Sequence, residues 1–380
     1  MSIDVPAHSP NNKQYDALVC VMRAQPFHNG HKAVIDRALE LADEVIVVVG
    51  SSFQPRSTKN PFTFEERKAM IGAVYDNEFN YAGAQGRIKT PRVKVVPVMD
   101  YPYDDNAWVS AVQNAVNGAL ASVWSDYPPK VGLIGHSKDS SSYYLNIFPQ
   151  WRNHVEVENI DGINATDIRK VLFDATDYEE YDTIKKNMPS QAEWEMRKII
   201  MTNSDTNGEW GKLLIEYQMI KKYKEAWASA PYAPTFVTTD AVITQSGYVL
   251  LIKRGGFPYK GCWALPGGYL ASGQFIEDNM IKELREETCV KVPAKVLKGS
   301  IKSVKIFDHP GRDPRGRTIT HAYHIDLGFP SEKLPRVKGA QFEGSDEDDA
   351  IEAKWFLLSE ITSEMMAFDH YAIIQYFIHI

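Results

Sequence analysis

Cysteine is scarce: Cys20, Cys262 and Cys289 are the only three in 380 residues. They lie too far apart for a disulfide framework or a zinc site, which fits a reducing, cytoplasmic setting. Basic residues are outnumbered, 42 Lys and Arg against 49 Asp and Glu, for a formal net charge of −7. Without a basic block, there is no electrostatic basis for wrapping nucleic acid. No apolar run approaches the length of a membrane span. The first residues, with Asp4, Pro6 and Pro10, lack the apolar core of a signal peptide, so residues 1–15 are expected to be a loose tail. The remaining composition, 44% hydrophobic and 24% charged, is that of an ordinary globular chain long enough for two or three domains.

The first half alternates strands and helices. The apolar run Ala17–Met22 reads as a buried parallel strand, and Val34, Ile35, Ala38, Leu39 and Ala42 recur at helical spacing after it. Between them lies Arg23-Ala24-Gln25-Pro26-Phe27-His28-Asn29-Gly30-His31. A strand, a tight turn and a helix start aim backbone N–H groups and a positive helix end at an anion. Gly30 allows the backbone to approach a ligand closely. No Gly-Lys-Ser/Thr follows, so this is not a P-loop. Further strands are expected at Glu44–Val49, Val93–Val98, Val131–Ile134 and Val155–Val157. Helices are expected from Thr63-Phe64-Glu65-Glu66, a capping box, to about Tyr75, and over Asp105–Leu120. This order predicts a doubly wound parallel sheet, with ligands at the carboxyl ends of its strands. The Arg23–His31 turn, the Gly50-Ser51-Ser52 loop and Gly135-His136-Ser137-Lys138-Asp139 all fall at such ends. In Ile163–Arg169, Thr166 is expected to cap a helix, and Arg169 on the first turn can share a phosphate with the helix start.

These residues resemble the signatures of the nucleotidyltransferases. His28-Asn29-Gly30-His31 is similar to their His-x-Gly-His turn. Asn164-Ala165-Thr166-Asp167-Ile168-Arg169 is similar to Ser-x-Thr-x-x-Arg, with Asn164 in place of Ser. With Gly50-Ser51-Ser52, Asn60-Pro61-Phe62-Thr63, Glu66-Arg67, Trp108 and Gly135–Asp139, the likeness is to nicotinamide mononucleotide adenylyltransferases, and specifically the kind fused to a Nudix domain. The resemblance implies a Rossmann-like domain in which the phosphate of nicotinamide mononucleotide attacks the α-phosphorus of ATP. By the same resemblance His28 and His31 contact the ATP phosphates, and Arg23, Gly30, Thr166 and Arg169 line the polyphosphate. Trp108 stacks on nicotinamide or is a core tryptophan, and Lys138 is a phosphate contact or a solvated lysine.

Asp174–Tyr232 is rich in charge and aromatics, with helices expected at Glu193–Thr202 and Trp210–Trp227. Ala230-Pro231-Tyr232-Ala233-Pro234 marks a boundary. Beyond it, Phe236–Ile243 and Tyr248–Lys253 are expected strands around a Ser246-Gly247 turn. Trp263–Leu270 is a strand and a glycine loop, and Gln274–Thr288 a helix with Ile276, Met280 and Leu284 buried. Glu283, Glu286 and Glu287 are expected together on its opposite side. Three carboxylates on one helical turn repel unless a cation compensates, and hard oxygen ligands suit a divalent metal. An acidic loop, Ser345–Glu352, precedes Lys354-Trp355-Phe356.

Gly268 to Val290 resembles the Nudix box, Gly-x5-Glu-x7-Arg-Glu-U-x-Glu-Glu-x-Gly-U, where U is a bulky aliphatic residue. Gln274, Lys282 and Cys289 replace its Glu, Arg and Gly. Arg312-Asp313-Pro314-Arg315-Gly316 is similar to a segment of ADP-ribose-type Nudix hydrolases. The resemblance implies an α/β/α domain that hydrolyses ADP-ribose to AMP and ribose 5-phosphate. Glu283, Glu287 and the Gly267 carbonyl would hold Mg2+ or Mn2+, with Glu286 assisting. Arg312 and Arg315 would bind substrate, and Asp348 or Asp349 would supply a late ligand or base.

The expected organisation is therefore a tail (1–15), a nucleotidyltransferase domain (16–185), a helical connector (186–232) and a Nudix domain (233–380). Expected partners are the small molecules ATP, nicotinamide mononucleotide and ADP-ribose, with neither nucleic acid nor membrane; a homo-oligomer is compatible with the sequence. Two rivals stand: a different phosphorylated acceptor at the first site, and a second domain that senses nucleotides without turning them over.

Overall fold

The computed structural model describes residues 13–82, 88–120, 128–136, 144–151, 154–158, 164–174, 178–205, 208–328, 333–339 and 350–379. The chain forms two compact units, Met1–Phe53 with Lys59–Gly211, and Gln54–Thr58 with Lys212–Ile380.

The first unit runs β1 (Tyr15–Met22), α1 (Asn29–Leu41), β2 (Ala42–Val49), α2 (Phe64–Tyr75), β3 (Phe79–Ala82), β4 (Ile88–Pro91), β5 (Val93–Pro97), α3 (Asp105–Leu120), β6 (Val131–Gly135), β7 (His154–Glu156), α4 (Ala165–Asp174), α5 (Tyr178–Asn187) and α6 (Ser190–Thr202). Its sheet has the order β5-β2-β1-β6-β7 with every pair parallel, and β3 and β4 form a separate hairpin. Strands covered on both faces read as near-continuous apolar runs, and all of β2 is buried accordingly. Val112, Val116 and Leu120 of α3 join Val19, Ile46, Val48 and Leu133 of the sheet in one core. Tyr15, expected in the tail, is already buried in β1.

Arg67 of α2 ties the strand ends together. It is fully buried, and its guanidinium donates to the carbonyls of Arg23 (2.7 Å), Gly50 (2.8 Å), Ser51 (3.1 Å) and Thr63 (3.2 Å). Burial pushes its pKa down to about 10, with Asp100 opposing that shift. Thr63 and Glu66 close the expected capping box at the start of α2.

The second unit begins within α7 (Glu209–Ala226) and continues as β8 (Thr235–Gln245), β9 (Tyr248–Arg254), β10 (Trp263–Ala264), β11 (Gly267–Tyr269), α8 (Ile276–Thr288), α9 (Ala294–Gly299), β12 (Ile301–Phe307), β13 (Arg317–Asp326), β14 (Ala350–Leu357) and α10 (His370–Ile378). The mixed sheet has the order β10-β9-β8-β13-β12, with β11 on β8 and β14 on β9. β13 pairs with β8 in parallel, and the other pairs are antiparallel. Ser246 and Gly247 both take positive φ, 51° and 79°, as a two-residue hairpin requires. Met280, Ile281 and Leu284 of α8 pack on Ala241, Ile243 and Leu250.

The stretch expected as a connector is shared between the units. α6 packs on α2, and Trp210 stacks on Phe62 and Phe173 in the first unit. Tyr223 and Trp227 meet Phe236 edge-on in the second. Among the described residues no helix is long and apolar enough to cross a membrane.

Replacing Arg67 by Met removes the desolvation cost of a buried cation but strands the carbonyls of Arg23, Gly50 and Ser51, each worth about 1–3 kcal/mol when left unpaired, while the Thr63 carbonyl keeps the backbone N–H of residue 67. The carbonyls win: Arg67→Met is expected to destabilise the chain by about 3 kcal/mol, read from urea unfolding of both proteins.

Candidate active sites

At the carboxyl end of β1 the two histidines cap α1 reciprocally. His28 Nδ1 accepts the Gly30 N–H (3.1 Å), and His31 Nδ1 accepts the His28 N–H (3.3 Å). The rings stack with centroids 3.7 Å apart. Because both Nδ1 atoms accept, each neutral ring carries its proton on Nε2, which makes Nε2–H the donor. A Cβ at residue 30 would sit 3.0 Å from the His28 ring, so glycine preserves the cap. Gln25 clamps the Phe62 backbone, donating to its carbonyl (2.8 Å) and accepting its N–H (3.0 Å).

Arg169 reaches this turn from α4. It donates to the Gln25 carbonyl (2.6 Å) and to Thr166 Oγ1 (3.2 Å). Burial pushes its pKa down to about 10, and neighbouring Arg23 adds to that shift. Lys59 is lowered by burial first, then by Arg23, with Asp100 opposing and Arg169 reinforcing. Arg23, Lys59 and Arg169 therefore gather positive charge where strand ends and a helix start meet, and the arrangement calls for an anion.

Helix α4 is capped by Asn164, not Thr166. Asn164 Oδ1 accepts the Asp167 N–H (2.8 Å), and Ala165 is the first helical residue. Asn ranks with the strongest N-caps, so the substitution for Ser keeps the cap and leaves Thr166 to meet Arg169. Trp108 is half-buried on α3, 5.9 Å from Phe148 and against the core. Lys138 lies outside the described residues.

The second unit holds a cleft of about 270 Å³ lined by Asp240, Arg254, Gly267, Glu283, Glu287 and Arg315 among others. Glu287 accepts the Gly267 N–H (2.7 Å). Burial pushes its pKa up to about 8, and Glu283 contributes to that rise. Glu283 is itself raised, chiefly by burial. Gly267 is sterically required, and a side chain at Gly268 would displace the Glu283 carboxylate. A Cβ on Gly267 would lie 2.0 Å from the Thr239 carbonyl, and one on Gly268 would lie 2.7 Å from Glu283 Oε2.

The three glutamates lie together on one side of α8 as expected, and all three line the cleft, but their surroundings differ. Glu287 turns in to the glycine loop, whereas Glu286 is half exposed. Lys282 spans Glu283 (3.3 Å) and Glu286 (3.2 Å). Among the described residues no three His, Cys, Asp or Glu side chains are gathered closely enough to hold a metal ion by themselves. The residues fit a divalent cation nonetheless, because two carboxylates whose ionised forms are penalised by burial gain from added positive charge, and both offer hard oxygen.

Arg312 makes a two-point pair with Asp369 (2.9 and 2.8 Å), and Arg315 does so with Asp313. His370 Nδ1 accepts the Leu265 N–H (2.9 Å), anchoring the start of the Pro266-Gly267-Gly268 loop. Asn279, fully buried on α8, donates to Thr239 Oγ1 and the Tyr269 carbonyl and accepts the Ala271 N–H, fixing the end of that loop. Asp348 and Asp349 lie outside the described residues.

Residues 234–377 match the NUDIX domain family, and residues 20–171 match the Cytidylyltransferase-like family. A nicotinamide/nicotinic acid mononucleotide adenylyltransferase of Acinetobacter baylyi is 38% identical over 42% of this chain and 77% of its own length. An ADP-ribose pyrophosphatase of Methanocaldococcus jannaschii is 33% identical over 44% of this chain and 83% of its own. The crystal structure of a bifunctional NMN adenylyltransferase/ADP ribose pyrophosphatase from Francisella tularensis, in complex with AMP and a manganese ion, is 30% identical. It covers 96% of this chain and 99% of its own, with a TM-score of 0.79. The chain belongs to this bifunctional family.

For a bifunctional adenylyltransferase/pyrophosphatase, most of the residues picked out in the sequence fall at one of the two sites. His28, His31 and Arg169 meet around one turn, with Arg23 beside Arg169. Glu283, Glu286, Glu287, Gly267, Arg312 and Arg315 line one cleft. Lys59 is not among the residues picked out in the sequence, although its place directly before Asn60-Pro61-Phe62-Thr63 is a signal. Asp240, Asn279, Asp369 and His370 carried no motif and became visible only in three dimensions.

The glycine of the Nudix-box pattern is replaced by Cys289, which takes a left-handed conformation at φ 48° and ψ 28° to end α8. That geometry costs a non-glycine residue about 1–2 kcal/mol, partly offset by the greater freedom of an unfolded glycine. Cys289→Gly is expected to stabilise the chain by about 0.5–1 kcal/mol, measured as a rise in thermal midpoint.

Proposed function

We propose that this chain transfers AMP from ATP to nicotinamide mononucleotide, giving NAD and pyrophosphate, and separately hydrolyses ADP-ribose to AMP and ribose 5-phosphate. The observation that carries this reading is the match to a bifunctional enzyme along 96% of the chain, together with a cationic site in one unit and a carboxylate cleft in the other.

In the first reaction a phosphate oxygen of nicotinamide mononucleotide attacks the α-phosphorus of ATP, and the bond to pyrophosphate breaks. Such a displacement asks the protein for position and charge more than for covalent chemistry. The Nε2–H groups of His28 and His31 donate to phosphate oxygens, with His31 nearest the reacting bond. Arg23, Lys59 and Arg169 neutralise the polyphosphate, Gly30 lets it approach the backbone, and Thr166 steadies Arg169. Trp108 offers an aromatic face to nicotinamide, and Lys138 is a further phosphate contact. Mg2+ on the triphosphate supplies additional neutralisation when bound.

In the second reaction water attacks one phosphorus of ADP-ribose and the P–O–P bridge breaks. Glu283, Glu287 and the Gly267 carbonyl would hold Mg2+ or Mn2+, which polarises the phosphoryl oxygens when bound. Glu286 supports that charge through Lys282, while Arg312 and Arg315 hold the substrate. Asp348 or Asp349 supplies a late ligand or base. The setting is the cytoplasm, and the chain acts as a soluble enzyme.

The two chemistries separate by mutation. His31→Ala is expected to lower NAD formation about a hundredfold or more and leave AMP release from ADP-ribose within twofold. Glu287→Gln is expected to do the reverse, and EDTA to stop AMP release. Coupled assays for NAD and AMP on the full chain check this; a wild-type chain that forms no NAD from ATP and nicotinamide mononucleotide refutes the first assignment.

A further inference from the structure

Phe368 stands on the wall of the hydrolytic cleft with φ 55°, a backbone conformation that bulky side chains rarely take. Such an outlier at a site wall invites a functional account. Two guanidiniums lie over its ring, Arg254 at 5.0 Å and Arg315 at 5.7 Å from the centroid. Both arginines also line the cleft. Each has a second tether: Arg254 Nε donates to the Pro258 carbonyl (2.9 Å), and Arg315 pairs with Asp313 and lies over Tyr269 at 5.3 Å.

The two residues after Phe368 attach elsewhere on the same wall. Asp369 holds Arg312, and His370 holds the Leu265 N–H. Three consecutive side chains thus fix three separate parts of one site. A strand would alternate them between two faces and a helix would turn them in regular steps. The left-handed residue at 368 breaks both patterns, and its contacts with desolvated guanidiniums offset the backbone cost.

We propose that Phe368 is a positioning residue for hydrolysis: its ring holds Arg254 and Arg315 in the cleft against the diphosphate of a nucleoside diphosphate sugar. This rests on the reading of the cleft as a diphosphate hydrolase, and it adds Arg254 to the substrate contacts.

The test compares wild type, Phe368→Leu, Phe368→Tyr and Arg254→Met in the full chain. KM and kcat for ADP-ribose are measured by AMP release, and Kd for ADP-ribose by calorimetry in EDTA. Phe368→Leu is expected to raise KM and Kd about tenfold with kcat within threefold, because the aromatic face is lost while the apolar bulk stays. Phe368→Tyr restores both constants to within twofold of wild type. Arg254→Met, which leaves Phe368 in place, raises Kd about tenfold even should Phe368→Leu fail to fold. Unchanged constants in Phe368→Leu or in Arg254→Met, or a Phe368→Tyr as impaired as Phe368→Leu, overturn the proposal. A wild type that binds ADP-ribose but releases no AMP overturns the hydrolase reading instead, and the Kd series still decides the role of Phe368.

Discussion

Each unit keeps like charges close together and partly out of water, and the rest of the structure is arranged to make that tolerable. In the first unit Arg23 lowers the affinity of Lys59 and Arg169 for protons, with Arg169 adding to the effect on Lys59, and in the second Glu283 raises that of Glu287. Burial is the largest cause in every one of these shifts. Groups in that condition are stabilised by a ligand of opposite sign, which is why polyphosphate suits one site and a divalent cation the other.

Holding repelling groups in place takes rigid backbone, and both units obtain it by saturating loop carbonyls and N–H groups with buried side chains. Arg67 collects three carbonyls after the ends of β1 and β2 and a fourth at the start of α2, while Gln25 grips the backbone N–H and carbonyl of Phe62. On the acidic side, His370 and Asn279 pin the two ends of the Leu265–Ala271 loop, and Glu287 takes the N–H at its centre. These clamps are polar but far from solvent, so their cost of desolvation is met only because nearly every lone pair and proton finds a partner.

Much of this was legible in the sequence. Alternation of apolar runs and helical periodicity gave the parallel sheet of the first unit, since strands covered on both faces and helices packed on them leave unmistakable patterns. The His28–His31 turn and the Glu283–Glu287 helix were visible because their chemistry is local: the residues that act together are neighbours in the chain. What was not legible acts across distance. β12 carries polar and apolar side chains that are mostly exposed at a sheet edge, so no burial period marks it. Asp240 sits mid-strand in β8 among threonines and aliphatic residues and meets Thr320 and Arg312 only after folding. The cap of α4 was misread by two residues because Asn164 and Thr166 are both competent caps and only the backbone path decides between them.

Lys282, which replaces an arginine of the box, already answers two of the carboxylates beside the cleft. It behaves as a placeholder counter-ion. An incoming divalent guest meets glutamates that are partly satisfied and has to evict a tenant before it can bind them. An arginine would hold its carboxylates through a flat two-pronged grip and surrender them reluctantly, whereas an ammonium on a flexible four-carbon stem swings away at little cost. The exchange of one cation for another therefore makes the acidic helix easier to load and easier to empty.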